Sequence, residues 1–217
     1  MCRKARVSYE EGLKILKDHG QDSLPGGGAE IFDEELRNRI CKDKCTSEQW
    51  LKIHETAHNI GMPSNATLLY GHYESYAHRI DHMNRLRELQ DKTSGFTAFI
   101  PWSFSPNKTK LECPRLMNGT DYLRMIAIAR LVLDNIPHLQ AGWVTEGPDV
   151  SQLALKFGAD DYGGVLMTEE VVSATGLEYG VTEDQVINMI HEAGFLPAQR
   201  TTQYDLIKIH EQEMVDA

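Results

Sequence analysis

Residues 65–75 read NATLLYGHYES, a β-prone run that ends at a glycine and continues into polar and aromatic side chains. The run 65–70 predicts a strand, and Gly71 predicts a tight turn directly after it. Parallel α/β folds place their ligands beyond the carboxyl ends of the strands. Tyr70, His72 and Glu74 are therefore candidates for a functional site.

Helix and strand alternate on both sides of this run. Further strands are predicted at 22–24, 96–102 and 139–145, and amphipathic helices at 46–60, 76–90, 121–134 and 183–193. No Asn-Gly or Asp-Gly turn joins two adjacent strand candidates, so parallel βα units are favoured over hairpins. Residues 105–119 are predicted to form a long loop of the kind that often carries function.

The composition excludes several classes of protein. The chain has 217 residues, 41% of them hydrophobic and 25% charged, and its net charge of −10 argues against a nucleic-acid binder. No apolar run reaches the ~18–20 residues of a membrane-spanning helix, and no signal peptide is recognisable. Four scattered cysteines do not form a disulfide framework. We therefore expect a cytoplasmic protein without a membrane partner.

A glycine-rich segment follows the first strand candidate. Gly26, Gly27 and Gly28 allow the backbone to approach a ligand closely, and a helix that begins just after them would present its amides to an anionic or highly polar group. The segment lacks a phosphate-loop lysine and a GxGxxG pattern, so a simple tight turn remains the alternative.

Three histidine or cysteine pairs have the spacing of metal ligands. His54-Glu55-Thr56-Ala57-His58 matches the zinc-protease pattern, but His54 lies on the apolar stripe of its helix, Glu55 and His58 are expected toward the opposite side, and no third ligand is recognisable. The other pairs are His78 with His82, and Cys41 with Cys45, whose neighbouring lysines favour a lowered thiol pKa. We expect structural histidines and no metal site.

Several segments together resemble one family, the radical S-adenosylmethionine enzymes of the futalosine route to menaquinone. The resemblance covers the chain from about residue 9 to Tyr204. Its segments are PGGGAEIF (25–32), NATLLYGHYES (65–75), LRELQDKTSGFTAFIPWSFSP (86–106), ARLVLDNIPHLQAGWVTEG (129–147), LALKFGADDYGG (153–164) and EAGFLPAQRTTQYD (192–205).

The resemblance implies a fold and a chemistry. The fold is α/β, the C-terminal part of a partial TIM barrel with about four parallel strands and outer helices in residues 1–150, followed by a C-terminal helical cap in 151–217 of the same domain. The family uses a [4Fe-4S] cluster, S-adenosylmethionine and an external electron donor on a small futalosine derivative. Dehypoxanthine futalosine cyclase is favoured by GFTAFIPWSFSP, QAGWVTEGP and GFLPAQR, whereas PGGGAEIF, SNATLLYGH and DNIPH favour aminodeoxyfutalosine synthase. We prefer the cyclase, because the later strand ends and the C-terminal segment are more consistently of its type.

One departure from the family is decisive. The cluster of the family is held by a CxxxCxxC loop after the first strand, and none of Cys2, Cys41, Cys45 and Cys113 has that spacing. We therefore expect the chain to correspond to the C-terminal part of the enzyme and to be inactive alone. A non-catalytic fragment that complements or binds a partner is the alternative from another class.

The resemblance also assigns roles to individual residues. Leu69, Gly71 and Glu74 match the loose GxIxGxxE strand motif that supports adenine contact, with Thr67 at the first glycine. The resemblance places Gly26, Gly27, Gly28 and Glu30 near the cofactor ribose or the substrate. For a ribosyl substrate with a carboxylated aromatic group, the expected contacts are Glu30, Tyr70, His72, Trp102 as a stacking surface, Gln140, and Arg200 as a carboxylate anchor.

Overall fold

The computed structural model describes residues 2–111, 116–165, 170, 172–176 and 178–211. Its helices are α1 (Cys2–Ala5), α2 (Tyr9–Asp18), α3 (Glu34–Cys41), α4 (Ser47–Asn59), α5 (Tyr76–Thr93), α6 (Gly119–Val132), α7 (Trp143–Glu146), α8 (Pro148–Ala154) and α9 (Glu183–Glu192). Its strands are β1 (Ser64–Tyr70), β2 (Phe96–Ser103), β3 (His138–Leu139), β4 (Ala198–Arg200) and β5 (Leu206–Ile209).

A parallel sheet carries the fold. Its strands lie in the order β1-β2-β3, and both pairs are parallel. Single parallel bridges extend the sheet on both sides, from Leu24 to Ser64 and from Gln140 to Asp161. The prediction of an α/β fold with a parallel sheet is confirmed, although the described residues form three parallel strands rather than four, because the candidate at 22–24 makes only one bridge.

The long helices begin where their capping residues predict. Thr46 with Gln49 and Thr182 with Gln185 form capping boxes at α4 and α9, so both helices begin within one residue of the predicted positions 46 and 183. Helix α6 begins two residues earlier than expected, because Asn118 rather than Thr120 accepts the hydrogen bond from the Asp121 amide.

The two faces of β1 have different environments. Residues 64, 66, 68 and 70 are buried, and Ala66, Leu68 and Tyr70 belong to the main core cluster together with Trp50 of α4 and Met83 of α5. The intervening residues 65, 67 and 69 are half-buried. Helices therefore cover one face of the sheet, and the other face borders two cavities.

Two segments differ from their predicted structure. The strand expected over 139–145 ends early: the Gly142 amide donates to the Tyr122 hydroxyl (2.6 Å), away from the sheet, and helix α7 begins at Trp143. The C-terminal cap is not purely helical, because β4 and β5 pair as an antiparallel hairpin after α9. Within the described ranges, every helix is too short or too polar to cross a membrane.

Candidate functional site

The turn after β1 is built around Glu74. Gly71 has φ +93°, a left-handed conformation that favours glycine. The Gly71 and His72 amides donate to the Glu74 carboxylate at 2.6 and 2.9 Å, and Arg79 Nε donates to it at 2.8 Å. Burial raises the pKa of Glu74, but the Gly71 hydrogen bond, His72 and Arg79 outweigh it and lower the pKa overall. The carboxylate of this motif therefore folds the turn.

His72 uses both ring nitrogens inside the same turn. The Tyr73 amide donates to Nδ1 (2.7 Å), and Nε2 lies 3.1 Å from the Leu69 carbonyl oxygen. This pattern fits a neutral ring with its proton on Nε2. Burial, the largest cause, lowers the pKa of His72 although Glu74 opposes it. The ring can therefore offer a ligand its carbon edge rather than a free nitrogen.

The glycine segment lies along the edge of β1. The Gly26 amide donates to Asn65 Oδ1 (2.5 Å), and a Cβ at Gly26 would lie 2.6 Å from the Asn65 carbonyl oxygen. Gly26 therefore allows close approach of two backbones. Gly28 has φ +84°. The expected helix does not follow directly, because α3 begins at Glu34, so these amides are not at a helix N-terminus.

Arg37, which the sequence analysis missed, holds this segment in place. Its guanidinium is 3% exposed and donates to the carbonyl oxygens of Gly28 (3.2 Å), Ile31 (3.0 Å), Ala29 and Cys45. The guanidinium thus donates hydrogen bonds to carbonyl groups that have no partner in a strand. The sequence offered no signal for this role, because it depends on the burial of the side chain.

Glu30 lies at the entrance of a cavity of about 470 Å³ that we call the carboxyl-end cavity. Its φ of +47° is unusual for a residue other than glycine, and its carbonyl oxygen accepts the Leu69 amide at 2.8 Å. Its carboxylate pairs with Lys44. Leu69, His72 and Phe104 line the same cavity. Three predicted site residues, Glu30, Leu69 and His72, therefore come together.

Gln140 and Arg200 line a different space. This amino-end cavity, about 900 Å³, is also lined by Ser64, Thr97 and His138 from the beginnings of the three strands. The Gln140 amide bonds to the Phe99 carbonyl oxygen (3.0 Å), which sets Gln140 halfway along β2 rather than at its end. The structure thus separates these two residues from the other predicted substrate contacts.

Arg200 binds a carboxylate that belongs to the chain itself. Its Nη2 lies 2.5 Å from Asp161 Oδ2, and the Tyr204 hydroxyl donates to the same oxygen at 2.7 Å. The guanidinium also stacks over the Tyr204 ring, 3.9 Å from its centre. The predicted carboxylate anchor therefore fastens the β4–β5 hairpin to the sheet.

Two aromatic candidates have contrasting positions. Trp102 is half-buried beside Leu69 in the strand register, and its ring makes no hydrogen bond or ring contact with the described residues. Tyr70 is fully buried in the core beneath the same end of the sheet.

The zinc-protease pattern on α4 is structural. His54 Nδ1 and His58 Nε2 each lie 2.8 Å from the Ser64 hydroxyl, and His58 Nδ1 lies 2.7 Å from Thr93 Oγ1. Burial lowers the pKa to about 3 for His54 and about 4 for His58. His58 therefore lies on the same side as His54, contrary to expectation. Glu55 pairs instead with Lys52 (2.9 Å).

The remaining pairs also lack a metal site. His78 caps α5 through the Ser75 amide (3.1 Å), whereas His82 is buried with its Nε2 3.0 Å from the Thr67 carbonyl oxygen. Burial raises the pKa of Cys41, so the expected lowering of the thiol pKa is wrong. Within the described ranges, no three His, Cys, Asp or Glu side chains converge as metal ligands.

An iron–sulfur cluster does not fit these residues. Cys41 and Cys45 have a CxxxC spacing, but the third cluster position is Glu48. In the family, three cysteine thiolates of one loop bind the cluster and leave one iron open. The chain does not supply three cysteines at that spacing. No reaction step is therefore assigned through a cluster held by this chain.

Comparison with known proteins gives the family. Residues 93–213 match the family described as CofH/MqnC C-terminal region, and residues 2–86 match the Radical SAM superfamily. The cyclic dehypoxanthine futalosine synthase of Halalkalibacterium halodurans is 44% identical over 94% of this chain and 55% of its own length. The aminodeoxyfutalosine synthase of Thermus thermophilus is also 44% identical, over 94% of this chain and 57% of its own length.

A third relative has a different name. The 5-amino-6-(D-ribitylamino)uracil--L-tyrosine 4-hydroxyphenyl transferase of Methanopyrus kandleri is 41% identical over 96% of this chain and 59% of its own length. The chain thus spans slightly more than half the length of these three relatives. With matches to both family descriptions across nearly its whole length, the chain belongs to the CofH/MqnC family of radical SAM proteins.

Proposed function

We propose that this chain forms part of a radical S-adenosylmethionine enzyme that cyclises dehypoxanthine futalosine in menaquinone biosynthesis. The observation that supports this most is the 44% identity to a cyclic dehypoxanthine futalosine synthase across 94% of the chain. Aminodeoxyfutalosine synthase is the second candidate, because its identity is equal. In both cases the given sequence does not supply the CxxxCxxC ligands of a cluster.

The proposed architecture is a partial barrel. Residues 1–150 form its parallel βα units, and residues 151–217 form a cap segment of the same domain. The sequential order Leu24, β1, β2, β3 and Asp161 along the sheet supports a barrel, since a doubly wound sheet would reverse its order at a switch point.

The carboxyl-end cavity is the proposed ligand site. Glu30 supports this role, because its left-handed backbone is a costly conformation held by the Leu69 amide, and such outliers cluster at ligand-binding positions. The half-buried carboxylate can accept hydroxyl groups of a ribosyl ligand, while Leu69 and the carbon edge of His72 form its wall. S-Adenosylmethionine, when bound, supplies the reactive radical, and an external donor supplies the one electron that this requires.

The remaining predicted residues have supporting parts in this proposal. Gly71 and Glu74 fix the turn that carries His72, and the segment with Gly26, Gly27 and Gly28 runs along β1 toward Glu30. Trp102 lies beside Leu69 in the strand register. Gln140 and Arg200 shape the amino-end cavity.

Exchange of the matching region between enzymes tests the proposal. This chain replaces the corresponding stretch of the H. halodurans cyclase and, separately, of the T. thermophilus synthase, and each chimera is supplied to a strain that lacks the parent enzyme. We expect menaquinone only from the cyclase chimera. Menaquinone only from the synthase chimera would support the second candidate, and failure of both would support a non-catalytic fragment.

Single substitutions in the active chimera test the cavity. Glu30→Gln should lower the turnover of dehypoxanthine futalosine at least ~10-fold, about 1.4 kcal/mol of transition-state stabilisation. His54→Gln is the control, since it should lower the thermal midpoint and leave turnover unchanged. Normal turnover in Glu30→Gln would remove this residue from the site.

A further inference from the structure

The open side of the carboxyl-end cavity has an excess of positive charge. Among its described lining residues, Arg39, Lys42 and Lys44 are basic, whereas Glu30 and Asp43 are acidic. Glu30 and Lys44 form an ion pair, so their charges cancel. Arg39 and Lys42 are exposed and make no ion pair with a described residue, in a chain whose net charge is −10. The cavity can therefore attract an anion.

Arg39 differs from the other arginines that the structure describes beyond residue 30. Each of those donates at least one hydrogen bond; Arg37 binds backbone carbonyl oxygens, for example, and Arg79 binds the Glu74 carboxylate. The Arg39 guanidinium makes neither a hydrogen bond nor an ion pair with a described residue. Its N–H groups are therefore available to a ligand.

The Tyr73 ring holds this guanidinium beside the cavity. The central carbon of the guanidinium, Arg39 Cζ, lies 3.3 Å from the centre of the Tyr73 ring. Tyr73 belongs to the turn after β1, where its amide donates to His72 Nδ1 at 2.7 Å, and His72 lines the cavity. Stacking uses the flat face of the guanidinium and leaves its edge, which carries the N–H groups, unoccupied. The fork is thus oriented before a ligand arrives.

The cavity walls next to Arg39 are apolar. Ile40, Leu69, Phe104 and Leu111 line the same cavity, and all of them are half-buried. Apolar side chains that remain accessible in a cavity favour a ligand whose apolar surface covers them. A ligand that suits this cavity therefore combines an apolar body with a negatively charged group.

We propose that Arg39 binds the carboxylate of an aromatic ligand in the carboxyl-end cavity. The planar edge of a guanidinium matches the two oxygens of a carboxylate with parallel hydrogen bonds. Lys42 adds a second positive charge at the same cavity. A doubly charged phosphate is disfavoured, because the Glu30 and Asp43 carboxylates line the cavity and repel the additional negative charge.

This role replaces the one expected for Arg200. Arg200 binds Asp161 and lines the amino-end cavity, whereas Arg39 lines the same cavity as Glu30. One ligand can therefore place hydroxyl groups at Glu30 and a carboxylate at Arg39. That this ligand is a futalosine derivative rests on the proposed function, whereas the carboxylate site rests on the cavity and its charges.

The first experiment uses the whole chain and needs no enzymatic activity. The chain is labelled with 15N-arginine, and the Nε resonance of Arg39 is assigned by its loss in Arg39→Gln. Sodium benzoate should shift this resonance, whereas benzamide, which has a similar shape without the charge, should bind at least ~10-fold more weakly. An unshifted Arg39 resonance, or binding of benzamide or inorganic phosphate as tight as that of benzoate, would overturn the carboxylate site.

Arg39→Gln and Arg124→Gln form a matched pair of variants. The side chain of Arg124 is also exposed, at 52%, but it lies on α6 and does not line the cavity. Arg39→Gln should weaken benzoate binding about 10-fold, followed by the proton resonances of the ligand, and should leave the thermal midpoint unchanged because no hydrogen bond is lost. Arg124→Gln should bind benzoate like the unmodified chain. Equal weakening in both variants would reduce the effect to net charge and overturn the proposal.

The second experiment uses the active cyclase chimera. Arg39→Gln should raise the KM for dehypoxanthine futalosine about 10-fold and change kcat less than about 2-fold, because the carboxylate contact is the same in the substrate and in the transition state. Arg39→Lys should lie between, since it keeps the charge but loses the planar fork. An unchanged KM in Arg39→Gln would overturn the inference. An inactive chimera, together with an Arg39 resonance that still responds to benzoate, would instead count against the proposed function alone.

Discussion

The turn at Gly71–Glu74 and the paired ends of β1 and β2 at Tyr70 and Ser103 differ in how their polar groups are used. In the turn, the Glu74 carboxylate accepts two amides and an arginine, and both nitrogens of His72 have partners. At the strand ends, Ser103 donates to one oxygen of Glu146, while the Tyr70 hydroxyl has no partner in the described chain.

This difference separates structural from binding roles. Polar residues after a strand attract attention in a sequence, but a group whose hydrogen bonds are complete has little left for a ligand. A buried polar group that lacks a hydrogen-bond partner contributes the most binding free energy when a ligand supplies that partner. The following predictions test whether this distinction holds.

Glu74→Ala should have the largest effect on stability. It removes the acceptor of two amides and leaves the Arg79 guanidinium, 6% exposed, without its carboxylate. Loss of one partner of a buried ion pair costs about 3–5 kcal/mol. Urea unfolding followed by circular dichroism measures the loss. Glu74→Gln is the matched control and should lose less, because it keeps an oxygen for the turn; equal losses would mean that the charge alone matters.

Acid should destabilise the protein through its buried histidines. Burial lowers the pKa of His82 to about 3, against about 6.5 in the unfolded chain. Because the unfolded state binds the proton first, this stability is complete above pH 6.5 and is lost as the pH falls toward 3. One such histidine costs about 2.7 kcal/mol between pH 6.5 and 4.5.

The variant His82→Gln isolates this contribution. Glutamine can still donate to the Thr67 carbonyl oxygen but does not titrate. Unfolding free energies measured at pH 7 and 4.5 should therefore fall less steeply in the variant than in the unmodified chain. Parallel losses in the two proteins would contradict the assignment to His82.

The two buried tyrosines give a direct comparison of a paired and an unpaired hydroxyl. Tyr122→Phe strands the Gly142 amide and should cost about 1–3 kcal/mol. Tyr70→Phe removes a hydroxyl that has no partner in the described chain, so the change should lie within about 0.5 kcal/mol. Equal destabilisation, measured by denaturant unfolding, would mean that Tyr70 has a structural partner.

A modest effect is expected at the C-terminal hairpin. Arg200→Leu removes the ion pair with Asp161, whose side chains are 23% and 8% exposed, and should cost about 1 kcal/mol or less. Hydrogen exchange should show faster exchange confined to β4 and β5. Uniformly faster exchange over the sheet would indicate that the hairpin supports the whole fold.

The sequence predicted the elements whose signals are local. The capping boxes of α4 and α9 and the alternation in β1 depend on neighbouring residues, and their structures follow the pattern. The strand expected at 139–145 failed because a distant group, the Tyr122 hydroxyl, binds the Gly142 amide. The hairpin β4–β5 was missed because the residues between its strands form no recognisable turn sequence and its register shifts between Gln199 and Arg200.

The candidate site was only partly predictable for the same reason. Glu30, Leu69 and His72 were expected together, because each follows or ends a strand, and they do line one cavity. Arg200 suggested a carboxylate, but nothing in the sequence placed Asp161 within its reach. The role of Arg37 depends on the burial of its side chain, which periodicity does not reveal.

The hydrogen bonds of the two α4 histidines have defined directions. Thr93 donates to the Leu89 carbonyl oxygen (2.9 Å), so it accepts from His58 Nδ1, and His58 Nε2 must then accept from Ser64. Ser64 in turn accepts from His54 Nδ1. The four side chains thus form a chain of hydrogen bonds that all run in one direction, and each histidine ring has a single tautomer. A proton added to either ring would turn an accepting atom into a donor and reverse or break the neighbouring hydrogen bonds. The contact that joins α4, β1 and α5 therefore responds to protonation as a whole.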